Sequence, residues 1–567
     1  MEDYIMKKRT IALVLAIAMA ISTAACGDKT AEAPHRNTRT TNTAPANTPT
    51  QDDGYRVESE PTAEYYDGGT TYAKSASDAN CYEYFYSPDF SGETYDVIAE
   101  SGFKSAAQSP LSTFAADVDT ASYSNMRRFV NSGYGLYDFE GVSLRAEEMI
   151  NYFKYDYSTP KRGEKFAVDS VVSDCPWNKN NKLMVLGIST KTLTENKKPD
   201  SNIVFLIDVS GSMNSSNKLP LLKDSMKLLV ENLSRDDRVS IVTYANGTNI
   251  VLSGVRGDKS DKINKAFDDL IASGGTNGEG GIEMAYRLAE ENFIENGNNR
   301  IILATDGDFN IGKCRGEELK DLISEKKESG VFLSVLGFGM GNYNDVTAET
   351  LADSGNGNYS YIDTLAEAKK VLVDEFTSTL YTVAKDTKFQ VEFNPAMVAK
   401  YRLIGYENRA LANEDFKDDT KDGGEVGAGH QVTVVYEIEL ADKENTSDLK
   451  YQDTDLSQKG EARDEWCTLS IAYKDPDADE SDYLEFPIGI DNYTTKPSES
   501  FMLATSVAEY AMALNNSEYL VDMTREEALE QAIKNVKKLD SDDDIVLEFL
   551  DLMECVQSND GGYYWYD

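Results

Sequence analysis

Four nearly continuous apolar runs follow one another in the middle of the chain, separated by segments with helical periodicity. The runs are IVFLIDV, VSIVTYA, RIILATDG and VFLSVLGFG, and patterns such as KLPLLKDSMKLLVENL and GIEMAYRLAEENF lie between them. Strands that are apolar on both sides are typical of parallel sheets covered by helices on both faces. We therefore predict a doubly wound, mostly parallel α/β domain over residues 201–384.

Alternating and β-branched segments flank this unit on both sides. FAVDSVVSD and LMVLGIS precede it, and KFQVEFN, QVTVVYEIEL, WCTLSIAYK and YLEFPIGI follow it. A period of two indicates strands that bury one face. We predict that both sets form one antiparallel β-sandwich into which the α/β domain is inserted. This hypothesis requires a strand from residues 165–190 to share a sheet with residues 387–490.

Helical patterns occupy both ends of the folded part. DTASYSNMRRFVNSG and SLRAEEMINYF open it, and SFMLATSVAEYAMALNN, TREEALEQAIKNVKKL and DIVLEFLDLMECVQ close it. The preceding segment is rich in Thr, Ala, Asn and Pro and buries too little apolar surface to order itself. We therefore predict six parts: a signal segment (1–26), a disordered tether (27–108), an N-terminal flanking domain (109–200), the α/β domain (201–384), a β-rich flanking domain (385–492) and a C-terminal helical region (493–567).

The first residues have the pattern of a signal peptide. A short basic region, Met6–Arg9, precedes an apolar core, Ile11–Ile21, which is too short to span a bilayer as a permanent helix. Thr23-Ala24-Ala25-Cys26 then resembles a bacterial lipobox, in which the cysteine is lipidated. The resemblance implies a membrane anchor at Cys26 and an extracytoplasmic place in a bacterial cell envelope. An ordinary signal peptide with an incidental cysteine is the alternative.

Charge and histidine content disfavour several classes of function. The 567 residues carry a formal charge of −42, so a nucleic acid would be repelled. The two histidines, His35 and His430, leave little room for a histidine-based zinc site or a Ser-His-Asp triad. We expect a protein that is not an enzyme and does not bind nucleic acid.

Oxygen-bearing side chains gather where the predicted α/β strands end. Asp208, Ser210 and Ser212 come just past the first strand, Thr276 precedes a helix, and Asp306 closes RIILATDG. Open α/β sheets bind ligands outside the carboxyl ends of their strands, so these side chains are expected at one edge. Two carboxylates and three hydroxyls suit Mg²⁺ or Mn²⁺, because hard cations prefer oxygen ligands. Neutral hydroxyls quench little of the metal's charge, which leaves the ion able to take a carboxylate from a partner.

These five residues resemble the metal-ion-dependent adhesion site of von Willebrand factor type A domains. The motif Asp208-Val209-Ser210-Gly211-Ser212 is followed in order by Thr276 and Asp306. The resemblance implies that Ser210, Ser212 and Thr276 coordinate the ion directly. It implies that Asp208 and Asp306 coordinate it directly or through water. It also implies a von Willebrand A fold and a protein partner that presents an Asp or Glu.

A second resemblance extends over about residues 109–556. STFAADVDTASYSNMRRF, RAEEMINYF, DCPWN, DGDFNIG, LGFGMGNYND and GGEVGAGHQVTVVYEI look like bacterial lipoproteins of the YfbK-like type, which carry such a domain between family-specific flanks. This resemblance implies a cell-envelope location and a protein-binding role, and it names no ligand.

Two functions remain open at this point. The first is a surface-tethered binding module whose metal recruits an acidic residue of a protein partner. The second is a structural or assembly factor of the envelope in which the metal site is not essential. A catalytic serine is disfavoured: Ser215-Ser216-Asn217-Lys218 matches Ser-x-x-Lys, but the accompanying Lys-Thr-Gly is missing.

Overall fold

The computed structural model describes most of the chain between residues 99 and 560. The described residues are Glu93 and 99–116, 119–139, 142, 144–192, 198–276, 278–307, 316–327, 329–341, 343–375, 381–421, 423–441, 464–476, 478 and 480–560. The predicted signal segment, the predicted lipidation site at Cys26 and most of the predicted tether lie outside them. Within these described ranges, no helix has both the length and the apolar character needed to cross a membrane.

The described part of the chain is built from strands and helices in the following order. The strands are β1 (Lys104–Ser105), β2 (Leu111–Ala115), β3 (Phe166–Asp174), β4 (Asn181–Thr190), β5 (Ser201–Asp208), β6 (Arg238–Tyr244), β7 (Thr248–Arg256), β8 (Asn298–Thr305), β9 (Phe332–Phe338), β10 (Tyr359–Ile362), β11 (Thr382–Phe393), β12 (Val398–Leu403), β13 (Gly424–Gly427), β14 (Gln431–Leu440), β15 (Glu465–Lys474) and β16 (Asp482–Gly489). The helices are α1 (Ala121–Asn131), α2 (Ala146–Ile150), α3 (Leu219–Val230), α4 (Ser260–Asp268), α5 (Gly278–Glu291), α6 (Gly316–Lys327), α7 (Asp345–Ser354), α8 (Leu365–Lys369), α9 (Glu499–Leu514), α10 (Arg525–Lys537) and α11 (Asp544–Asp560).

A six-stranded sheet forms the central α/β unit. Its spatial order is β10-β9-β8-β5-β6-β7, and all neighbours are parallel except the edge strand β7. The chain leaves β5 for β6 on one side and later returns to β8 on the other, so the strand order reverses at β5. Such a reversal opens a crevice outside the carboxyl ends of the strands. The predicted doubly wound, mostly parallel sheet is confirmed.

Helices cover both faces of this sheet. α3 and α4 pack on one face through Leu222 and Phe267, and α5 and α7 pack on the other through Tyr286 and Leu351. All residues of β5 are buried as a result. This coverage explains why the strand is apolar on both sides.

The flanking strands form a sandwich of two antiparallel sheets. One has the order β1-β12-β14-β4-β3, and the other has the order β13-β11-β15-β16, with β2 also paired to β11. Leu186 of β4 lies opposite Val434 of β14, so strands from before and after the α/β unit share a sheet. The inner faces meet through residues such as Leu186 and Phe389. The predicted sandwich with an inserted α/β domain is therefore confirmed.

A helical layer covers the outer face of the β4-containing sheet. α1 and α2 pack with α9, α10 and α11, and their shared core includes Tyr123, Phe153 and Phe549. Leu183 and Val185 of β4 belong to the same core, while the alternate residues of that strand face the sandwich interior. Helices from the two ends of the folded part thus build one core.

The prediction of a disordered tether over residues 27–108 is wrong for residues 99–108, which are folded. Lys104 and Ser105 form β1 against β12, and Ala106 is buried in the sandwich core. Further towards the N-terminus, Glu93 forms an ion pair with Arg128 of α1. The physical reason is that a short polar segment can be ordered by an existing sheet edge even though its own composition cannot drive folding.

Candidate functional site

Asp208 ends the central strand β5 and is completely buried. Its Oδ1 accepts a hydrogen bond from the Ser210 amide at 2.8 Å, which turns the chain directly after the strand. Among the described residues, none gives Oδ2 a hydrogen bond of normal geometry. A buried carboxylate oxygen is costly without a partner, so Oδ2 is suited to receive a cation.

The pKa of Asp208 reflects this environment. Burial raises it to about 6, while the hydrogen bonds from Ser210 lower it and the negative charge of Asp306 raises it further. The Tyr244 hydroxyl also lowers the pKa of Asp208, through a weak interaction that falls outside normal hydrogen-bond geometry. The effect of Asp306 means that the two carboxylates interact electrostatically. A divalent cation between them would reverse this penalty and favour both charged forms.

Ser210 and Ser212 place two hydroxyl oxygens side by side. The two Oγ atoms are 2.9 Å apart, and a 3₁₀ turn, Gly211–Asn214, begins between these residues. Ser210 is buried, whereas Ser212 is exposed. The pair therefore connects the buried carboxylate of Asp208 with the protein surface.

Thr276 lies in a loop that is bonded to the loop of the two serines. The Gly211 amide donates to the Gly274 carbonyl at 2.9 Å, and the Ser273 amide donates to the Val209 carbonyl at 2.7 Å. These bonds hold the segment before α5 against the segment after β5. Thr276 follows Gly274 by two residues and is half-buried.

Asp306 follows β8, the strand next to β5, and is buried. Gly307 allows the chain to turn there: its φ is 82°, and an added Cβ would lie 2.6 Å from the Asn344 amide nitrogen. Asp306 Oδ2 accepts a hydrogen bond from Lys218 Nζ at 3.0 Å, and both side chains are buried. The carboxylate of Asp306 is therefore already paired with the ammonium group of Lys218.

Lys218 and Tyr244 are the members of this site that sequence reasoning missed. Tyr244 ends β6 and lies opposite Asp208 in the sheet register. Its one signal in the sequence was its place at the end of the apolar run VSIVTYA. Lys218 directly precedes α3, and its one sequence signal was the Ser-x-x-Lys match. In the fold, Ser215 is exposed while the Lys218 ammonium contacts Asp306, which disfavours a Ser215–Lys218 catalytic pair.

The donor set fits a hard divalent cation. Asp208, Ser210, Ser212 and Asp306 converge at the carboxyl ends of two adjacent strands, and bonded loops bring Thr276 to the same edge. Within the described ranges, no group of three or more His, Cys, Asp or Glu side chains is arranged to hold a metal ion. A cation at this edge would therefore depend on hydroxyl oxygens as well as carboxylates, as Mg²⁺ and Mn²⁺ accept.

Three protein-family models match consecutive parts of the chain. Family models described as von Willebrand factor, von Willebrand factor type A domain, and uncharacterized protein YfbK, C-terminal, match residues 89–185, 202–375 and 378–558. The chain is 42% identical over 434 residues to uncharacterized protein YfbK of Escherichia coli, covering 75% of each protein. It is 28% identical over 184 residues to uncharacterized protein sll0103 of Synechocystis, covering 32% of this chain and 42% of that protein. A solved von Willebrand factor type A structure from Catenulispora acidiphila is 16% identical, with a TM-score of 0.41, and the match covers 68% of this chain and 89% of that one.

Proposed function

We propose that this chain, which belongs to the YfbK family of proteins with a von Willebrand factor type A domain, binds a protein partner through a divalent cation. The cation is Mg²⁺ or Mn²⁺, and its ligands are Asp208, Ser210, Ser212, Thr276 and Asp306. The main support for the proposal is the buried carboxylate of Asp208: no described residue gives its Oδ2 a hydrogen bond of normal geometry, and the carboxylate interacts electrostatically with Asp306.

The hydroxyl-rich ligand set leaves the bound ion able to accept a further ligand. Two carboxylates only balance the charge of a divalent ion, and the hydroxyls add no negative charge, so the ion remains able to bind another anionic oxygen. Exposed Ser212 puts the open side of the site at the protein surface. The partner supplies an Asp or Glu carboxylate there, and water completes the coordination.

Exposed apolar side chains on two loops that lead to the site would give the partner a second kind of contact. Ile271, on the loop that leads to Thr276, is 76% exposed, and Met340, in the turn after β9, is 37% exposed. Apolar groups next to a charged contact are common at protein interfaces, where they exclude water from the central contact. We expect the partner to carry apolar residues near its acidic ligand.

The proposed location follows from the N-terminal pattern. Lipidation of Cys26 would anchor the protein to a membrane of the cell envelope, and the Thr-, Asn- and Pro-rich residues after it would hold the binding site away from the lipid surface. Metabolic labelling with a fatty-acid probe tests this: wild type should incorporate the label and Cys26→Ala should not. Equal labelling of both proteins would exclude Cys26 as the acceptor.

Metal-dependent capture tests the proposed binding function. The full chain would serve as bait for envelope extracts of the source bacterium in Mg²⁺ and in EDTA, beside Asp208→Ala and the control Asp236→Ala. Asp236 is an exposed carboxylate before β6, so its loss removes the same charge away from the site. We expect a partner that wild type and Asp236→Ala capture in Mg²⁺, and that EDTA or Asp208→Ala releases. Identical captures in all lanes would favour an envelope assembly factor that does not use the metal.

A further inference from the structure

Lys218 is a buried cation that is built into the candidate metal site. Its side chain is 6% exposed, and its Nζ lies 3.0 Å from Asp306 Oδ2, a carboxylate that is itself fully buried. Charges are rarely buried unless they are paired, because removal from water is costly. The pair is formed between residues 88 positions apart in the chain. A lysine in this place adds a positive charge to the region where the proposed divalent ion binds.

The fold holds the stem of Lys218 in position. An added Cβ at Gly339 would lie 2.3 Å from the Lys218 Cε and 2.4 Å from its Cγ, so the lysine stem runs directly against this glycine. Gly339 has a φ of 83°, which further restricts the position to glycine. The Tyr361 hydroxyl donates to the Gly339 carbonyl, and the Gly341 amide donates to Glu93 Oε1 at 2.7 Å. The turn that covers Lys218 is therefore held at both ends.

We propose that Lys218 determines the balance between cation and anion affinity at this site. The inference rests on the proposed function. Asp208 and Asp306 alone would neutralise a divalent ion. With the Lys218 ammonium beside Asp306, the metal-loaded site keeps one net positive charge. The lysine therefore weakens binding of the metal by repulsion and strengthens binding of a carboxylate to the loaded metal by attraction.

Two substitutions remove the charge in different ways. Lys218→Met keeps an unbranched apolar stem against Gly339, whereas Lys218→Gln keeps a hydrogen-bond donor near Asp306 and so protects the fold. The control is Lys265→Met on α4, which removes the same charge from a side chain that is 74% exposed. Mn²⁺ is titrated into metal-free full-length protein and followed by the electron paramagnetic resonance of the free ion. Acetate is then titrated into the Mn²⁺-loaded proteins and followed by water-proton relaxation.

Opposite changes in the two affinities are the expected result. Both Lys218 variants should bind Mn²⁺ about tenfold more tightly than wild type, and acetate about threefold more weakly, since one charge within a few ångströms is removed from a partly desolvated site. Lys265→Met should change neither affinity. Two results would overturn the role of Lys218 while the proposed metal site stands, provided that wild type binds Mn²⁺. Either the Lys218 variants bind Mn²⁺ no more tightly than wild type, or they bind acetate as well as wild type does. Failure of wild type to bind Mn²⁺ would overturn the proposed function and this inference together.

Discussion

Arg127 holds Asp363 through two parallel hydrogen bonds, from Nε to Oδ2 at 2.8 Å and from Nη2 to Oδ1 at 2.6 Å. The same guanidinium reaches Glu367 at 2.7 Å and Glu548 at 2.9 Å. Arg127 belongs to α1, Asp363 and Glu367 to the end of the α/β unit, and Glu548 to α11. A single buried side chain thus joins three parts of the chain that are remote in sequence.

Arg127→Met should destabilise the protein strongly. The substitution keeps an apolar stem but leaves the buried carboxylates of Asp363 and Glu367 without their shared cation, which costs about 3–5 kcal/mol. The free energy of unfolding in urea measures this loss. Arg287→Met is the control, because Arg287 is 58% exposed and lies 4.0 Å from Glu291 at the surface, and such a pair is worth about 0–1 kcal/mol. Equal losses for both variants would contradict the importance of the buried pair.

Gly187→Ala should destabilise the sandwich through Tyr157. The tyrosine ring lies over Gly187 of β4, so that an added Cβ would be 2.3 Å from the ring carbon Cζ. Movement of the ring away from the added methyl group would disturb the 3.0 Å hydrogen bond between the Tyr157 hydroxyl and Thr433 Oγ1. We expect a loss of about 1–3 kcal/mol in the free energy of unfolding.

Two controls separate this clash from a general effect of added methyl groups. Gly247→Ala should change stability by less than about 0.5 kcal/mol, since its Cβ would meet no atom within 4 Å. In a Tyr157→Ala background, Gly187→Ala should cost little, because the clashing ring is gone. An undiminished cost in that background would show that the ring is not the cause.

Glu509 should make stability depend on pH. It is buried in α9, where burial raises its pKa to about 8 and the hydrogen bond from Gln531 opposes that rise. The ordinary pKa of a glutamate is 4.5. Between pH 4.5 and about pH 8 the folded protein therefore holds one proton more than the unfolded chain. Its stabilising contribution is therefore complete below pH 4.5 and is lost as the pH rises through about 8.

Glu509→Gln should remove this dependence, because the amide keeps an acceptor for Gln531 and carries no charge. Relative to wild type, the variant should gain stability from pH 5 to pH 9, reaching on the order of 3 kcal/mol. Urea unfolding at a series of pH values measures the difference. Glu530→Gln is the control, because it removes the same charge at an exposed position on α10. A curve for Glu509→Gln that is no steeper than that of the control would refute the assignment.

Cys175 and Cys467 should be unreactive in the folded protein. Both are free thiols that are almost fully buried, and burial raises the pKa of each well above its ordinary value. The thiolate is the reactive form, so alkylation requires unfolding. Peptide mapping after a pulse of iodoacetamide should find both unmodified in buffer and modified in guanidinium chloride. Rapid labelling of either one in buffer would contradict its burial.

The central domain and its edge could be predicted because they depend on local patterns. Strands covered on both faces must be apolar on both sides, and their polar ends then mark one edge of the sheet. Asp208, Ser210, Ser212, Thr276 and Asp306 stand at such positions in the sequence. Their joint binding of a metal ion stays a prediction, as do the anchor at Cys26 and the acidic partner.

Local sequence patterns were sufficient to predict most strands and helices, because periodicity and burial act within a few residues. The contacts between distant segments became visible only in the folded structure. It placed Lys218 on Asp306, gathered three acidic side chains around Arg127, and paired Lys104 with Tyr401 at a sheet edge. No local pattern encodes these contacts. A buried charge takes whichever opposite charge the packing brings near it, and a short strand takes whichever edge is open.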